Sequence, residues 1–137
     1  MASHCVAKQA LYGRLMERSP LAPVAFPDLP VIPGVTPRIA RARYKTWDRC
    51  DLTFVTLDEG TSVAGVLTQS RCPSPEVEWC RKALVLGQAR ALVVNAGNAN
   101  AFTGYRGREA VEGIMAQVAA HLGCAPGEVF VSSTGVI

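Results

Sequence analysis

The alternation of apolar and polar positions divides this chain into a small set of elements. Leu52-Thr-Phe-Val-Thr-Leu57 alternates and is rich in β-branched and aromatic residues, which predicts a strand. Asp58-Glu-Gly-Thr61 reads as a turn and Ser62-Val-Ala-Gly-Val-Leu-Thr68 as a return strand, so a hairpin is expected. Ser74-Pro75 then opens a helix. A serine oxygen can cap the first free N–H groups, and proline lacks only a donor that the first turn leaves unused. Val77, Cys80 and Leu84 share one face of that helix, and Gly87 is placed to end it. Arg90 to Asn95 is a further strand. A longer helix is expected from Arg108 to Leu122, where Ala110, Val111, Ile114, Met115, Val118, Ala119 and Leu122 recur at helical spacing before Gly123. Val129 to Ser132 returns as a strand.

Six of the nine prolines fall between Pro20 and Pro37. Proline fixes φ and supplies no donor, so this stretch predicts an extended arm and not a helix or a central strand. Val24, Phe26, Leu29, Val31 and Ile32 make the arm apolar enough to dock on a surface. The expected organisation is a flexible extension over 1–18, the arm over 19–50 and an α+β domain over 51–137. Strands and helices alternate, yet the hairpin argues for a mixed or antiparallel sheet layered with helices.

Composition narrows the function classes. With 137 residues, 49% apolar and 18% charged, the chain is globular and long enough for one core. The net charge is only +3, and the basic residues neither share a helix face nor alternate with aromatic rings. Nucleic acid is not expected as a partner. No apolar run approaches the roughly 20 residues that span a bilayer, so no membrane is expected either. Cys5, Cys50, Cys72, Cys80 and Cys124 include no Cys-x-x-Cys pair, and His4 and His121 are the only histidines. That set lacks the spacing of a zinc site and reads as reduced thiols in a cytoplasmic protein.

Two polar clusters interrupt the apolar pattern. The run Ala91-Leu-Val-Val meets Asn95-Ala-Gly-Asn-Ala-Asn-Ala-Phe-Thr-Gly104, and Val129-Phe-Val meets Ser132-Ser-Thr-Gly-Val-Ile137. Amides and small residues beside a strand offer many hydrogen-bonding groups where a ligand can approach the backbone. His121, in the last turn of a helix, complements the helix dipole more simply than it serves a serine triad. Asp58-Glu59 is a solvated turn before it is a carboxylate pair. Gly97 to Gly104 lacks the Gly-Lys-[Ser/Thr] ending of a phosphate loop. Gly104-Tyr-Arg-Gly107 suits either an anion at a helix N-terminus or an ordinary helix entry. In Ser133-Thr-Gly135 the threonine hydroxyl and an unobstructed backbone N–H suit an oxyanion hole for acyl transfer; a strand-end turn is the alternative use of the same residues.

These clusters, in this order, resemble the ornithine acetyltransferase family, the bifunctional glutamate N-acetyltransferases of arginine biosynthesis. Pro33-Gly-Val35, Asp51-Leu-Thr-Phe-Val55, Val63-Ala-Gly-Val-Leu-Thr68 and Glu128-Val-Phe-Val131 are similar to that family's N-terminal region as well. The resemblance runs from about Ser19 to Ile137. It implies a partial αββα sandwich of the N-terminal-nucleophile-like acetyltransferases. It further implies a precursor that cuts itself before a threonine into α and β chains, which remain together as an α2β2 assembly. The new N-terminal threonine takes acetyl from N-acetylornithine and passes it to glutamate, its hydroxyl activated by its own amine.

Carried onto this sequence, the family's oxyanion hole maps to Thr134 and Gly135, with Asn95, Gly97, Asn98 and Asn100 as scaffold around the site. No cofactor and no metal are implied, although acetyl-CoA can stand as a second acetyl donor. The family's Lys-Gly-Ala-Gly segment, cleavage junction and nucleophile lie beyond Ile137. The 137 residues are therefore expected to hold the front portion of an α chain, with half an active site. Two other readings use the same residues: a non-catalytic module of this fold, or an N-terminal-nucleophile amidohydrolase relative that releases its acyl group to water.

Overall fold

A computed structural model describes residues 20–21, 23–25, 27–46 and 48–136. The expected extension over 1–18, with His4 and Cys5, lies outside the described residues. Among the described residues four strands form one sheet: β1 (Val35–Ala40), β2 (Leu52–Leu57), β3 (Ala91–Asn98) and β4 (Val129–Val136), in that spatial order. β1 pairs antiparallel with β2, β2 antiparallel with β3, and β3 parallel with β4. Among the described residues two α-helices accompany the sheet, α1 (Pro75–Ala83) and α2 (Gly104–Leu122). A parallel pair cannot be joined by a tight turn, and α2 supplies the crossover between β3 and β4. The result is α+β, a mixed sheet layered with helices.

The hairpin expected after β2 does not form. Ser62 makes a single antiparallel bridge to Gln88, and the residues that follow lie outside the sheet. Both edges of β2 are already occupied, by β1 and β3, so no ladder is open to a return strand. Val63 and Leu67 still pack on the core, and Arg81 Nη2 donates to the Thr68 carbonyl at 3.0 Å, which ties the segment to α1. β1 lies inside the proline-rich stretch and includes Pro37, opposite Val55. It is an edge strand, where a missing donor is tolerated.

α1 begins as its sequence signals indicate. The Ser74 side chain accepts from the Val77 N–H at 3.5 Å, Pro75 takes the first turn, and a 3-10 turn (Leu84–Leu86) leads to Gly87 at φ 66°. α2 starts four residues earlier than the apolar spacing alone predicts and stops at Gly123, φ 66°. It buries Gly107, Val111, Met115 and Ala119, a stripe with four-residue spacing. Ala110 and Ile114, expected on that face, are exposed. The core therefore sits between α1, α2 and one face of the sheet, with Met115 and Val129 fully buried beside Ala91, Val93 and Val131.

β4 is the other edge of the sheet, and α1 lies along it. Trp79 Nε1 donates to the Val129 carbonyl at 2.9 Å, and the Cys80 thiol donates to the Val131 carbonyl at 3.3 Å. Burial pushes the Cys80 thiol above its ordinary value of 9.0; the Glu76 carboxylate adds to the rise and the Val131 hydrogen bond opposes it. Cys72, Cys80 and Cys124 are free thiols as expected, whereas Cys50 is disulfide-bonded, a pairing that spacing along the chain does not announce.

Candidate active site

Both polar clusters continue the strands instead of ending them. β3 runs through Asn95-Ala-Gly-Asn98 and β4 through Ser133-Thr-Gly-Val136, and the two are register partners along their whole length. Asn95 faces Ser133, Ala96 faces Thr134, and Gly97 faces Gly135. The facing glycines share an unusual backbone, with φ 141° at Gly97 and 135° at Gly135, a region that only glycine enters at low cost. A Cβ on Gly135 would stand 2.5 Å from the Gly97 carbonyl carbon and 2.7 Å from the Asn98 nitrogen. A side chain at 135 would therefore meet the backbone of β3.

Alternation along the pleat separates the cluster into two faces. Asn95 and Ser133 point to the helix side with Val93 and Val131. The Ser133 hydroxyl lies 2.7 Å from Glu76 Oε1 and 2.6 Å from Asn95 Oδ1, while Asn95 Nδ2 donates to the Asn98 carbonyl at 3.3 Å. Glu76, from the first turn of α1, is 5% exposed, and its Oε2 has no hydrogen-bond partner among the described residues. Thr134 and Gly135 are exposed, on the next positions of β4.

A cavity of about 160 Å³ opens on the helix side, lined by Tyr44, Glu76, Asn95, Asn98, Asn100, Thr103 and Ser133 together with Ala99, Ala110, Val111, Ile114 and Val131. The exposed Ala110 and Ile114 of α2 find their place here. Asn100 is part of its lining. Its Nδ2 donates to the Gly107 carbonyl at 3.3 Å, and its Oδ1 accepts from the Thr103 hydroxyl, which fastens the loop to the first turn of α2. A Cβ on Gly107 would fall 1.9 Å from Thr103 Oγ1 and 2.5 Å from Asn100 Oδ1, so a side chain there would push both aside. Gly104-Tyr-Arg-Gly107 is accordingly the entry to α2.

The structure brings Asn95, Asn98 and Asn100 to one cavity, and sets Thr134 beside it without making it part of the lining. Sequence reasoning missed two buried carboxylates. Asp51, 4% exposed, accepts from the Ala42 N–H at 2.6 Å and the Tyr44 N–H at 2.8 Å, which carries Tyr44 to the cavity. Glu76 looks in sequence like any acidic residue of a first helical turn. No one-dimensional signal marks either as buried. His121 is exposed at the end of α2, and Glu59 is exposed with only a 3.8 Å contact to Arg90. Among the described residues no group of three His, Cys, Asp or Glu is placed to hold a metal ion, and no helix is long and apolar enough to cross a membrane.

Comparison with known proteins agrees with this arrangement. The profile of the ArgJ family matches residues 37–137. The chain is 64% identical over 119 residues to the arginine biosynthesis bifunctional protein ArgJ of Zymomonas mobilis, and 53% identical over 120 residues to that of Bradyrhizobium diazoefficiens. Each match covers 87% of this chain and 29% of the relative's length. Among solved structures, ornithine acetyltransferase from Mycobacterium tuberculosis, complexed with ornithine, superimposes with a TM-score of 0.72 at 32% identity, covering 77% of this chain and 57% of that one. The ArgJ protein of Bacillus halodurans gives 0.71 at 28% identity, covering 77% and 55%. In sequence and in fold, over most of its length, the chain belongs to the ArgJ family.

Proposed function

We propose that this chain is the α-chain portion of an acetyltransferase that moves acetyl from N-acetylornithine to glutamate in arginine biosynthesis. Thr134 and Gly135 form the oxyanion hole, and the nucleophilic threonine belongs to a β chain cut from the same precursor. In the attack, the threonine oxygen adds to the acetyl carbonyl, whose oxygen becomes negative in the tetrahedral intermediate. Donors waiting where that charge develops stabilise it without rearranging. The Thr134 hydroxyl is one donor and the Gly135 N–H the other. Collapse breaks the carbonyl–nitrogen bond, ornithine leaving with the proton the threonine hydroxyl gave up, and an acetyl ester remains on the threonine. The amine of glutamate then attacks that ester, its C–O bond breaks, and the threonine regains a proton as N-acetylglutamate leaves.

The observation that carries this reading is the Gly97–Gly135 pair. The close approach of β3 leaves no room for a side chain at 135, while Thr134 stays exposed. On this reading a substrate oxygen meets the Thr134 hydroxyl and the Gly135 N–H together. No cofactor takes part, since acetyl rides on the protein; acetyl-CoA serves as an alternative donor. The α and β chains act as an α2β2 assembly in the cytoplasm.

In the full-length protein, Thr134→Ala is expected to lower kcat by about 10²–10³-fold, the usual effect of losing one such donor, with little change in KM or melting temperature. Steady-state transfer from N-acetylornithine to glutamate measures it. An unchanged kcat would remove Thr134 from the site, and release of free acetate in place of transfer would favour an amidohydrolase.

A further inference from the structure

We infer that Glu76 is a positioning residue for the oxyanion hole: from α1 it holds Ser133, and through Ser133 it sets the direction in which Thr134 and Gly135 present their donors. The inference rests on the oxyanion reading above and extends it to a residue outside both polar clusters.

Three observations support it. First, a carboxylate is rarely buried this deeply unless it is held, and Glu76 is 5% exposed with one oxygen on Ser133 and the other without a partner among the described residues. Second, the contact falls at a mechanically decisive point. Ser133 and Asn95 are register partners, joined at 2.6 Å, and they precede Thr134-Gly135 on β4 and Ala96-Gly97 on β3. Beyond them both strands pass through the facing glycines Gly97 and Gly135, which carry no side chain of their own to hold the backbone. The Glu76–Ser133–Asn95 cluster is thus the last side-chain anchor before the donors. Third, α1 grips β4 in step. Cys80 reaches Val131 and Glu76, one helical turn earlier, reaches Ser133 two residues further along. One turn rises about 5.4 Å and two strand residues about 6.6 Å, so the two spacings nearly match.

The Ser133 hydroxyl has a single proton for two acceptors, Glu76 Oε1 and Asn95 Oδ1. It satisfies one at a time, and the cluster holds Ser133 from both sides. A loosened Ser133 lets Thr134 move relative to the acetyl oxygen, which costs rate without changing how substrate binds.

The test uses the full-length protein and a cycle of variants, reading kcat, KM and melting temperature. Glu76→Ala is expected to lower kcat by about tenfold or more with KM nearly unchanged, because small misplacements near a reacting group are costly. Glu76→Gln keeps an acceptor for Ser133 and should recover much of that loss. In a Thr134→Ala background, Glu76→Ala should cost clearly less than in the parent, since one of the two donors it positions is already gone. Full additivity in the double variant, or Glu76→Ala with the kcat of the parent while Thr134→Ala is impaired, overturns the positioning role and leaves the oxyanion hole standing. If Thr134→Ala itself keeps full kcat, the oxyanion reading fails and this inference with it. Should Glu76→Ala not fold, Ser133→Ala takes its place in the same cycle with the same outcomes.

Discussion

At the scale of single residues, Gly135 is the position where the backbone demands most from the side chain. Its φ of 135° is strained for any L-residue, and a Cβ would press on the Gly97 carbonyl carbon at 2.5 Å. Gly135→Ala in the full-length protein is therefore expected to lose about 2 kcal/mol or more of stability, together with most of its activity. A thermal melt with the parent's midpoint would show that the position tolerates a side chain. The polar clusters that hold Asn95 and Thr134 were legible in sequence because polar residues interrupt two apolar strands. Glu76 was not, because burial is a property of what packs on a residue, and α1 must first be laid on β4 before Glu76 meets Ser133.

Between elements, the joint of α1 with β4 decides the geometry, and Cys80 is its buried contact at 9% exposure. Its raised thiol pKa gives a signed expectation. Below the pKa of the unfolded thiol, Cys80 is neutral in both states and its contribution to stability is intact. As the pH rises through and above about 9, the unfolded chain ionises first, so stability falls until the folded thiol also titrates. The urea midpoint of the full-length protein should therefore drop more between pH 8 and 10 in the parent than in Cys80→Ala, two values on either side of the ordinary thiol range of about 8.5–9. Equal drops would show that the buried thiol is not linked to folding. The element pattern was legible where a period was strong: α2, and the cores of β2, β3 and β4. It failed for Ser62 to Thr68, a segment as strand-like locally as β2, because the contest for the edges of β2 is settled by β1 and β3 from distant parts of the chain.

Across the whole molecule, the family likeness covers a share of a longer protein, 29% of the relatives' length. On the proposed reading, Thr134 and Gly135 supply donors for a developing negative charge, and the nucleophilic threonine belongs to the β chain. The isolated 137-residue chain is accordingly expected to show no transfer of acetyl from N-acetylornithine to glutamate, as measured by release of ornithine, whereas the full-length protein should turn over. Release of ornithine by the pure chain would place the nucleophile within these residues.

Sequence alone determined what depends on neighbours along the chain: the helix caps at Ser74 and Gly123, the apolar periods of the strands and of α2, and the two polar clusters whose order identified the family. Tertiary structure alone decided what depends on neighbours in space. It paired Asn95 with Ser133 and Gly97 with Gly135, turned Ser133 toward Glu76, and left Thr134 exposed on the next position. The physical reason is that capping and periodicity are local, whereas strand register and burial arise only when separated segments compete for the same edge and the same core.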